Sequence, residues 1–333
     1  MPVVQAACVA VRRLDGVEKL AARPGTTLVA IGNFDGVHAG HRAVLTSARE
    51  SAQRANLSVV GLTFHPHPAE VLGRGRQPCL TPLDRKVELL CRFDPELRIV
   101  VEPFTPELAA MRARAFVEEL LVSALGAKIV VVGKNFRFGC GREGDLALLG
   151  SLGRELGFDA RALDLVGDEA GPFSSSRIRT AIAAGDLAEA ERVLGRPHAI
   201  SGVVHAGAGR GRTIGVPTAN LEQVDEALPP EGVYACLVDR FSADGTPLRV
   251  AAGVANIGHR PTVGGGFAVE VHLFDFDGDL YGERLRLHLV ERLRDVRRFE
   301  SLDALKEQIA KDMASARAAT SARKPDPDAT GWY

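Results

Sequence analysis

Apolar positions follow two regimes along the chain, and the change falls near residue 195. In the first, short continuous apolar runs at 26–31 (TTLVAI), 57–64 (LSVVGLTF), 97–101 (LRIVV), 127–133 (AKIVVVG) and 158–166 alternate with stretches where apolar residues recur every three or four positions. The continuous, β-branched runs predict strands buried on both faces. The longer period predicts amphipathic helices, clearest over 106–125 with Leu108, Met111, Ala115, Leu120 and Leu121 on one stripe. Strand and helix in alternation predict a doubly wound α/β domain with a parallel sheet. Its last helix is expected over 186–194, stopped by Gly195-Arg196-Pro197.

In the second regime strands follow one another without helices between them, at 199–205, 232–239, 248–257, 267–276 and 284–290. The last of these, RLRLHLV, alternates strictly. Leu285, Leu287 and Leu289 share one face, as in an antiparallel strand whose other face is wet. A small closed antiparallel β-barrel is predicted, followed by one C-terminal helix over 301–313 opened by Ser301. The domain reading is therefore 1–196 α/β, 197–316 barrel with helix, and 317–333 a tail. With two prolines and no period, that tail is expected to be disordered.

Composition narrows the class without changing this picture. Hydrophobic residues at 46% and charged residues at 25% are globular proportions, and 41 basic against 42 acidic residues give a net charge of −1. No basic excess points to nucleic acid, and no apolar run is long enough for a membrane span. Cys8, Cys79, Cys91, Cys140 and Cys236 are scattered, odd in number and without CxxC spacing. Neither a disulfide framework nor a zinc site is expected, and the reducing cytoplasm is the expected compartment. The oligomeric state is left open, a homo-oligomer being compatible with the sequence.

Candidate chemistry gathers where strands end. The stretch GNFDGVHAGH at 32–41 joins the run 26–31 to a helical segment at 42–56. A strand, a glycine-rich turn and a helix start bring free N–H groups and the helix dipole to one place, a natural phosphate site. Gly32, Asn33, Phe34, Asp35 and Gly40 shape that turn, and His38 and His41 add donors. The chemistry that wants this is attack on a nucleotide phosphate, where charge on the phosphoryl oxygens and the departing pyrophosphate must be stabilised. The plainer reading is a capping histidine beside an ordinary one. SSSRIR at 174–179 opens another helix; Ser175, Ser176 and Arg179 read either as caps with a solvated arginine or as the other jaw of a phosphate clamp. In GKNFRFG at 133–139, Asn135 is a candidate for base or ribose, with Phe136 and Phe138 left as core.

The second half carries its own set. Gly209, Arg210, Gly211, Arg212 and Gly215 make a flexible basic loop suited to phosphates, or simply a surface loop. Pro217 comes next, and on an extended segment Thr218 and Asn220 share a face. They could ligate a hard cation on ATP phosphates or form an Asx or Ser/Thr turn. Glu270 and His272 face away from Val269, Val271 and Leu273. DFDGDLYGE at 275–283 imitates a calcium loop but has Leu280 and Arg286 where glycine and glutamate are required, so it reads as a charged turn.

GNFDGVHAGH, GKNFRFG and SSSRIR resemble the adenylyltransferase half of bacterial bifunctional riboflavin kinase/FAD synthetases, the first as a variant of the HxGH nucleotidylyltransferase signature. GRGRTIGVPTANL, GVYA, GVANIGHRPTVGG and VEVHLFDFDGDLYGE resemble their riboflavin kinase module. The resemblance covers nearly the whole chain outside the tail. It implies two reactions: phosphorylation of riboflavin by ATP with Mg2+, and adenylyl transfer from a second ATP to FMN. It assigns Glu270 as the base for the riboflavin hydroxyl, Thr218 and Asn220 to the metal, and His38 and His41 to the transferred phosphate. Asn135, Ser175, Ser176 and Arg179 would bind nucleotide. Two positions depart from the family pattern: His65 where an acid is usual, and His259 where a smaller residue is usual. Rival readings are a nucleotidylyltransferase acting on another phosphorylated metabolite, and a flavin- or nucleotide-binding regulator without turnover.

Overall fold

The run at 26–31 becomes strand β2 (Thr27–Ile31), buried at every position. It lies inside a six-stranded sheet with β1 (Ala10–Arg12), β3 (Ser58–His65), β4 (Arg98–Pro103), β5 (Ala127–Gly133) and β6 (Asp159–Leu163). The order is β1-β4-β3-β2-β5-β6 with every pair parallel. Side chains alternate across it as a pleat requires. Val29, Ile31, Val60, Leu62, Val130 and Val132 join one core, and Leu28, Ala30, Ile99, Val101, Ile129 and Val131 the other. Helices α1 (Ala39–Ala55) and α3 (Leu83–Phe93) cover the second face through Leu45, Ala48, Leu89 and Leu90. Helix α2 (Pro68–Val71) is a single turn between them.

The computed structural model describes residues 10–12, 25–73, 75, 77–164, 166–207, 211, 214–259, 267–327 and 329–333. Within them the helix expected over 106–125 is broken. It becomes α4 (Pro106–Ala110), α5 (Ala113–Ala115) and a π-helical segment, Phe116–Ala124. Met111 and Arg112 are extended at the break. The loop after β5 causes it: Cys140 donates its N–H to the Met111 carbonyl (2.7 Å), and Glu143 accepts from the Ala113 N–H (2.7 Å) and Arg112 Nε (2.8 Å). Those bonds hold the Glu143 carboxyl below its ordinary pKa, the Ala113 N–H most and Arg112 next. The apolar period continues through the break, so periodicity alone could not reveal it. Helix α6 (Leu146–Leu156) leads into β6, and two short strands, β7 (Gly167–Asp168) and β8 (Gly171–Pro172), come after it.

The chain divides into two compact units, Met1–Gln77 with Thr81–Ser174, and Pro78–Leu80 with Ser175–Tyr333. Helices α7 (Ser175–Ala184) and α8 (Leu187–Leu194), expected in the first half, thus belong to the second, where Leu187 packs into the barrel core. The barrel is β9 (His198–His205), β10 (Ala219–Glu222), β11 (Gly232–Phe241), β12 (Pro247–His259), β13 (Phe267–Leu273) and β14 (Arg284–Arg294). It closes in the order β10-β13-β12-β11-β14-β9 with all pairs antiparallel.

Two expectations fail in this unit. The tail is ordered: the C-terminal helix α9 runs through Leu302–Ser321, and Trp332 and Tyr333 pack on Leu237, Phe274 and Val290. Consequently the outer face of β14 is not wet. Arg286 is 1% and His288 0% exposed, His288 Nε2 lies 2.8 Å from Asp239 Oδ2, and the Trp332 N–H donates to Asp239 Oδ1 (2.9 Å). Two prolines prevent a regular element but not packing of the aromatic end. The cysteine reading also needs amendment, because Cys91 on α3 is disulfide-bonded.

Candidate functional site

The sheet order fixes where a ligand can enter the first unit. From β2 the chain passes through α1 to β3 on one side, and from β5 through α6 to β6 on the other. The carboxyl ends of β2 and β5 therefore flank the switch point, where open α/β sheets bind ligands. Gly32 to His41 comes directly after β2, and Asn135 comes after β5, exposed at its turn.

The turn after β2 is wound tightly. Its Gly32 N–H donates to the Leu62 carbonyl (3.0 Å), and Thr63 Oγ1 donates to the Asn33 carbonyl (3.1 Å). Phe34, Gly36 and Val37 have φ of 48°, 91° and 41°. Left-handed backbone at a β-branched residue is rare, and each such non-glycine position costs about 1–3 kcal/mol unless its surroundings enforce it. The enforcement is visible: Phe34 and Val37 are buried in the core, and Arg42 Nη1 donates to the Val37 carbonyl (2.9 Å). Burial lowers the pKa of Arg42 from its ordinary value.

His38 is both catalytic candidate and cap. It is 4% exposed and precedes α1, where its Nδ1 accepts the His41 N–H (3.3 Å). A neutral ring that accepts at Nδ1 carries its proton on Nε2, so the capping bond selects the tautomer that donates from the far nitrogen. The His41 ring stacks on it at 3.6 Å and meets Phe34 edge-on at 5.4 Å. A β-carbon on Gly40 would lie 3.1 Å from the Phe173 carbonyl oxygen, so the residue just before Ser174 reaches this turn. Asp35, expected among nucleotide-binding residues, turns its carboxylate inward to Thr81. Sequence reasoning passed over Thr81, Arg42 and His67. The last caps α2, accepting the Ala69 N–H at Nδ1 (3.2 Å), and its Nε2 lies 3.2 Å from the Asn33 amide. The alternation in TFHPHP was the only available signal for it. His65 is exposed.

Ser175, Ser176 and Arg179 stand in the first turns of α7 in the second unit, where Arg179 Nε donates to the Pro78 carbonyl (2.8 Å). The Phe136 and Phe138 rings stack at 5.4 Å in the core, as expected of them.

On the barrel, register aligns the second set. Asn220 on β10 pairs with Glu270 on β13, which pairs with Asn256 on β12. Their neighbours Leu221, Val269, Val271, Ala255 and Ile257 are buried, so these three polar residues share the outward face. A β-carbon on Gly207 would lie 2.2 Å from Asn220 Nδ2. His272 Nδ1 lies 2.8 Å from the Pro217 carbonyl, a structural bond that ties β13 to the segment carrying Thr218. Thr218 is exposed, and Gly211 and Gly215 are in the loop before it, whereas Gly209, Arg210 and Arg212 and the side chain of His259 lie outside the described residues. An amide oxygen beside a carboxylate, and the Thr218 hydroxyl two residues before Asn220, are hard-oxygen donors of the kind Mg2+ accepts when phosphates complete its shell. In the turn at 275–283, Asp275 instead pairs with Arg317 (2.8 and 2.9 Å), and no group of three or more His, Cys, Asp or Glu able to hold a metal exists among the described residues.

Comparison with known proteins assigns both units. The model of the FAD synthetase family matches residues 20–177 and that of the riboflavin kinase family residues 194–320. The chain therefore combines a nucleotidyltransferase domain with a kinase domain. It is 42% identical to the bifunctional riboflavin kinase/FMN adenylyltransferase of Escherichia coli K12, over 93% of this chain and 98% of that protein. Against the protein of the same name from Bacillus subtilis it is 35% identical, over 87% and 91%. The chain belongs to the family of bifunctional riboflavin kinase/FMN adenylyltransferases, enzymes of flavin-cofactor synthesis. Among solved structures, one from Streptococcus pneumoniae titled a macrolide-efflux protein is 30% identical with a TM-score of 0.79, covering 93% of this chain and 99% of that one. No helix among the described residues here is long and apolar enough to cross a membrane.

Proposed function

We propose that the barrel unit transfers the γ-phosphoryl group of ATP to riboflavin and that the α/β unit transfers AMP from a second ATP to the resulting FMN. In the first reaction Glu270 accepts the proton of the primary hydroxyl of riboflavin. The oxygen bonds to the γ-phosphorus, and the bond to the ADP oxygen breaks. Thr218 and Asn220 would hold Mg2+, which supplies charge neutralisation at the phosphates. The loop containing Gly209, Arg210, Gly211, Arg212, Gly215 and Pro217 covers them. In the second, a phosphate oxygen of FMN bonds to the α-phosphorus of ATP and pyrophosphate leaves. His38 through Nε2–H, His41 and the α1 N-terminus stabilise the charge. Gly32, Asn33, Phe34, Asp35 and Gly40 shape the pocket and Asn135 binds the nucleotide; Ser175, Ser176 and Arg179, at the start of α7, are the further nucleotide-binding candidates. On this reading the enzyme is cytoplasmic and its partners are riboflavin, FMN and ATP, with neither nucleic acid nor membrane among them; a homo-oligomer is compatible with it.

The observation that supports it most is the register that sets Glu270 beside Asn220 on one face of the barrel. Incubation with riboflavin, ATP and Mg2+ and then chromatography of the flavins is expected to yield FMN and then FAD, and unchanged riboflavin would sink the reading. Glu270→Gln is expected to lower riboflavin phosphorylation by roughly 10²–10⁴-fold while leaving FMN adenylylation intact. His38→Ala should do the reverse by about 10²-fold, so that FMN accumulates. Loss of both activities in either variant would argue against two sites.

A further inference from the structure

Asp35 poses a problem of charge. It stands in the middle of a turn that faces phosphates, where a carboxylate directed at the ligand would repel it. The structure turns it the other way. Its side chain is buried, and Oδ1 accepts from both the N–H (3.0 Å) and the Oγ1 (3.2 Å) of Thr81, 46 residues on. The same Thr81 hydroxyl accepts the Gly36 N–H (2.9 Å). One threonine thus grips the carboxylate and the backbone of consecutive residues. It spends its hydroxyl proton on the first and a lone pair on the second.

The gripped residues lead directly into the catalytic histidines. Gly36 lies between Phe34 and Val37, both non-glycine residues in left-handed backbone, and immediately after Val37 comes His38, the cap of α1. Nothing in α1 itself dictates that its first turn begin at this angle. Thr81 is 5% exposed and stands two residues before α3, which packs on the sheet through Leu89 and Leu90. It therefore fixes the turn to the body of the domain.

We propose that Thr81 is a positioning residue for adenylyl transfer: its hydroxyl and N–H hold Asp35 and Gly36 so that His38 and His41 meet the transferred phosphate. The proposal rests on the reading of the α/β unit as the FMN adenylyltransferase. Valine matches threonine in shape but lacks both hydroxyl bonds. Thr81→Val is expected to lower kcat for FMN adenylylation by about tenfold or more at temperatures well below its melting midpoint. Riboflavin phosphorylation by the same chain should be unchanged, and Thr81→Ser, which keeps the hydroxyl, should recover kcat to within about threefold. Because Asp35→Ala breaks the same contact from the other side, the double variant should be little slower than either single one. Wild-type kcat in Thr81→Val, equal losses in the valine and serine variants, additive losses in the double variant, or a Thr81→Val chain that fails to fold would each overturn the proposal. The last outcome would make Thr81 a residue of stability alone. If the wild-type chain makes no FAD, the functional reading fails and the proposal with it; if it does, only the variants decide.

Discussion

A glycine next to a metal candidate is easily read as flexibility, but Gly207 has a steric task. With Asn220 Nδ2 2.2 Å from where its β-carbon would stand, any side chain at 207 displaces the Asn220 amide. That amide is the movable end of a side chain, so the displacement is cheap in stability and, on the proposed kinase mechanism, costly in function. Gly207→Ala is expected to cut riboflavin phosphorylation by about tenfold or more, the loss of roughly one well-placed ligand, with a melting temperature within about 2 °C of wild type. Kinase assays beside a calorimetric melt check this, and a variant with normal kinase turnover would show that Asn220 is not needed where it stands. At this scale residue types were legible in the sequence and their partners were not. Glu270 and Asn220 were separate guesses until β10 and β13 paired, whereas Thr81 carried no signal, because a single threonine 46 positions from Asp35 looks like any other.

Elements were legible where one periodicity ruled. β5 spans 127–133 as expected, α1 starts three residues early because His38 caps it, β11, β12 and β14 extend by a few residues, β13 stops three residues short, and β10 is a strand the sequence reading did not anticipate. The break between α4 and the π-helical segment was not legible. It is imposed by Cys140, Glu143 and Gly139 from beyond the next strand. Gly139 is in left-handed backbone (φ 75°), and a β-carbon there would lie 2.7 Å from the backbone of Ala113. Main chain cannot yield as a side chain can, so Gly139→Ala is expected to destabilise the α/β unit by about 2–4 kcal/mol. Urea unfolding monitored by FMN adenylylation should show a lower midpoint, while riboflavin phosphorylation keeps the wild-type midpoint. An unchanged adenylylation midpoint would mean that the loop can move aside.

For the whole chain, the C-terminal segment is the main departure from expectation. It buries a charged cluster on the barrel: burial pushes the Asp239 carboxyl up, but the His288 hydrogen bond, the charges of His288 and Arg286 and the Trp332 N–H outweigh it and hold the pKa below its ordinary value. A carboxyl depressed in the folded state contributes stability that is fully present above its unfolded pKa and lost as pH falls through the folded one. The chain has one tryptophan, Trp332, which reports on this contact. Its emission is expected to hold steady from pH 7 to about pH 4 and to shift red below that, as protonated Asp239 releases the tail. Asp239→Ala should show the shifted emission already at pH 7, because removing one partner of a buried pair costs about 3–5 kcal/mol. A red shift in the wild type beginning above pH 5 would contradict the assignment to Asp239. By itself, the sequence determined the α/β and barrel architectures and the strand ends that bear the motifs, because hydrophobic period and turn chemistry act over neighbouring residues. Only tertiary structure decided the tail's place, the interrupted helix, the burial of β14 on both faces and the hold of Thr81 on Asp35, because each depends on segments brought together from far along the chain.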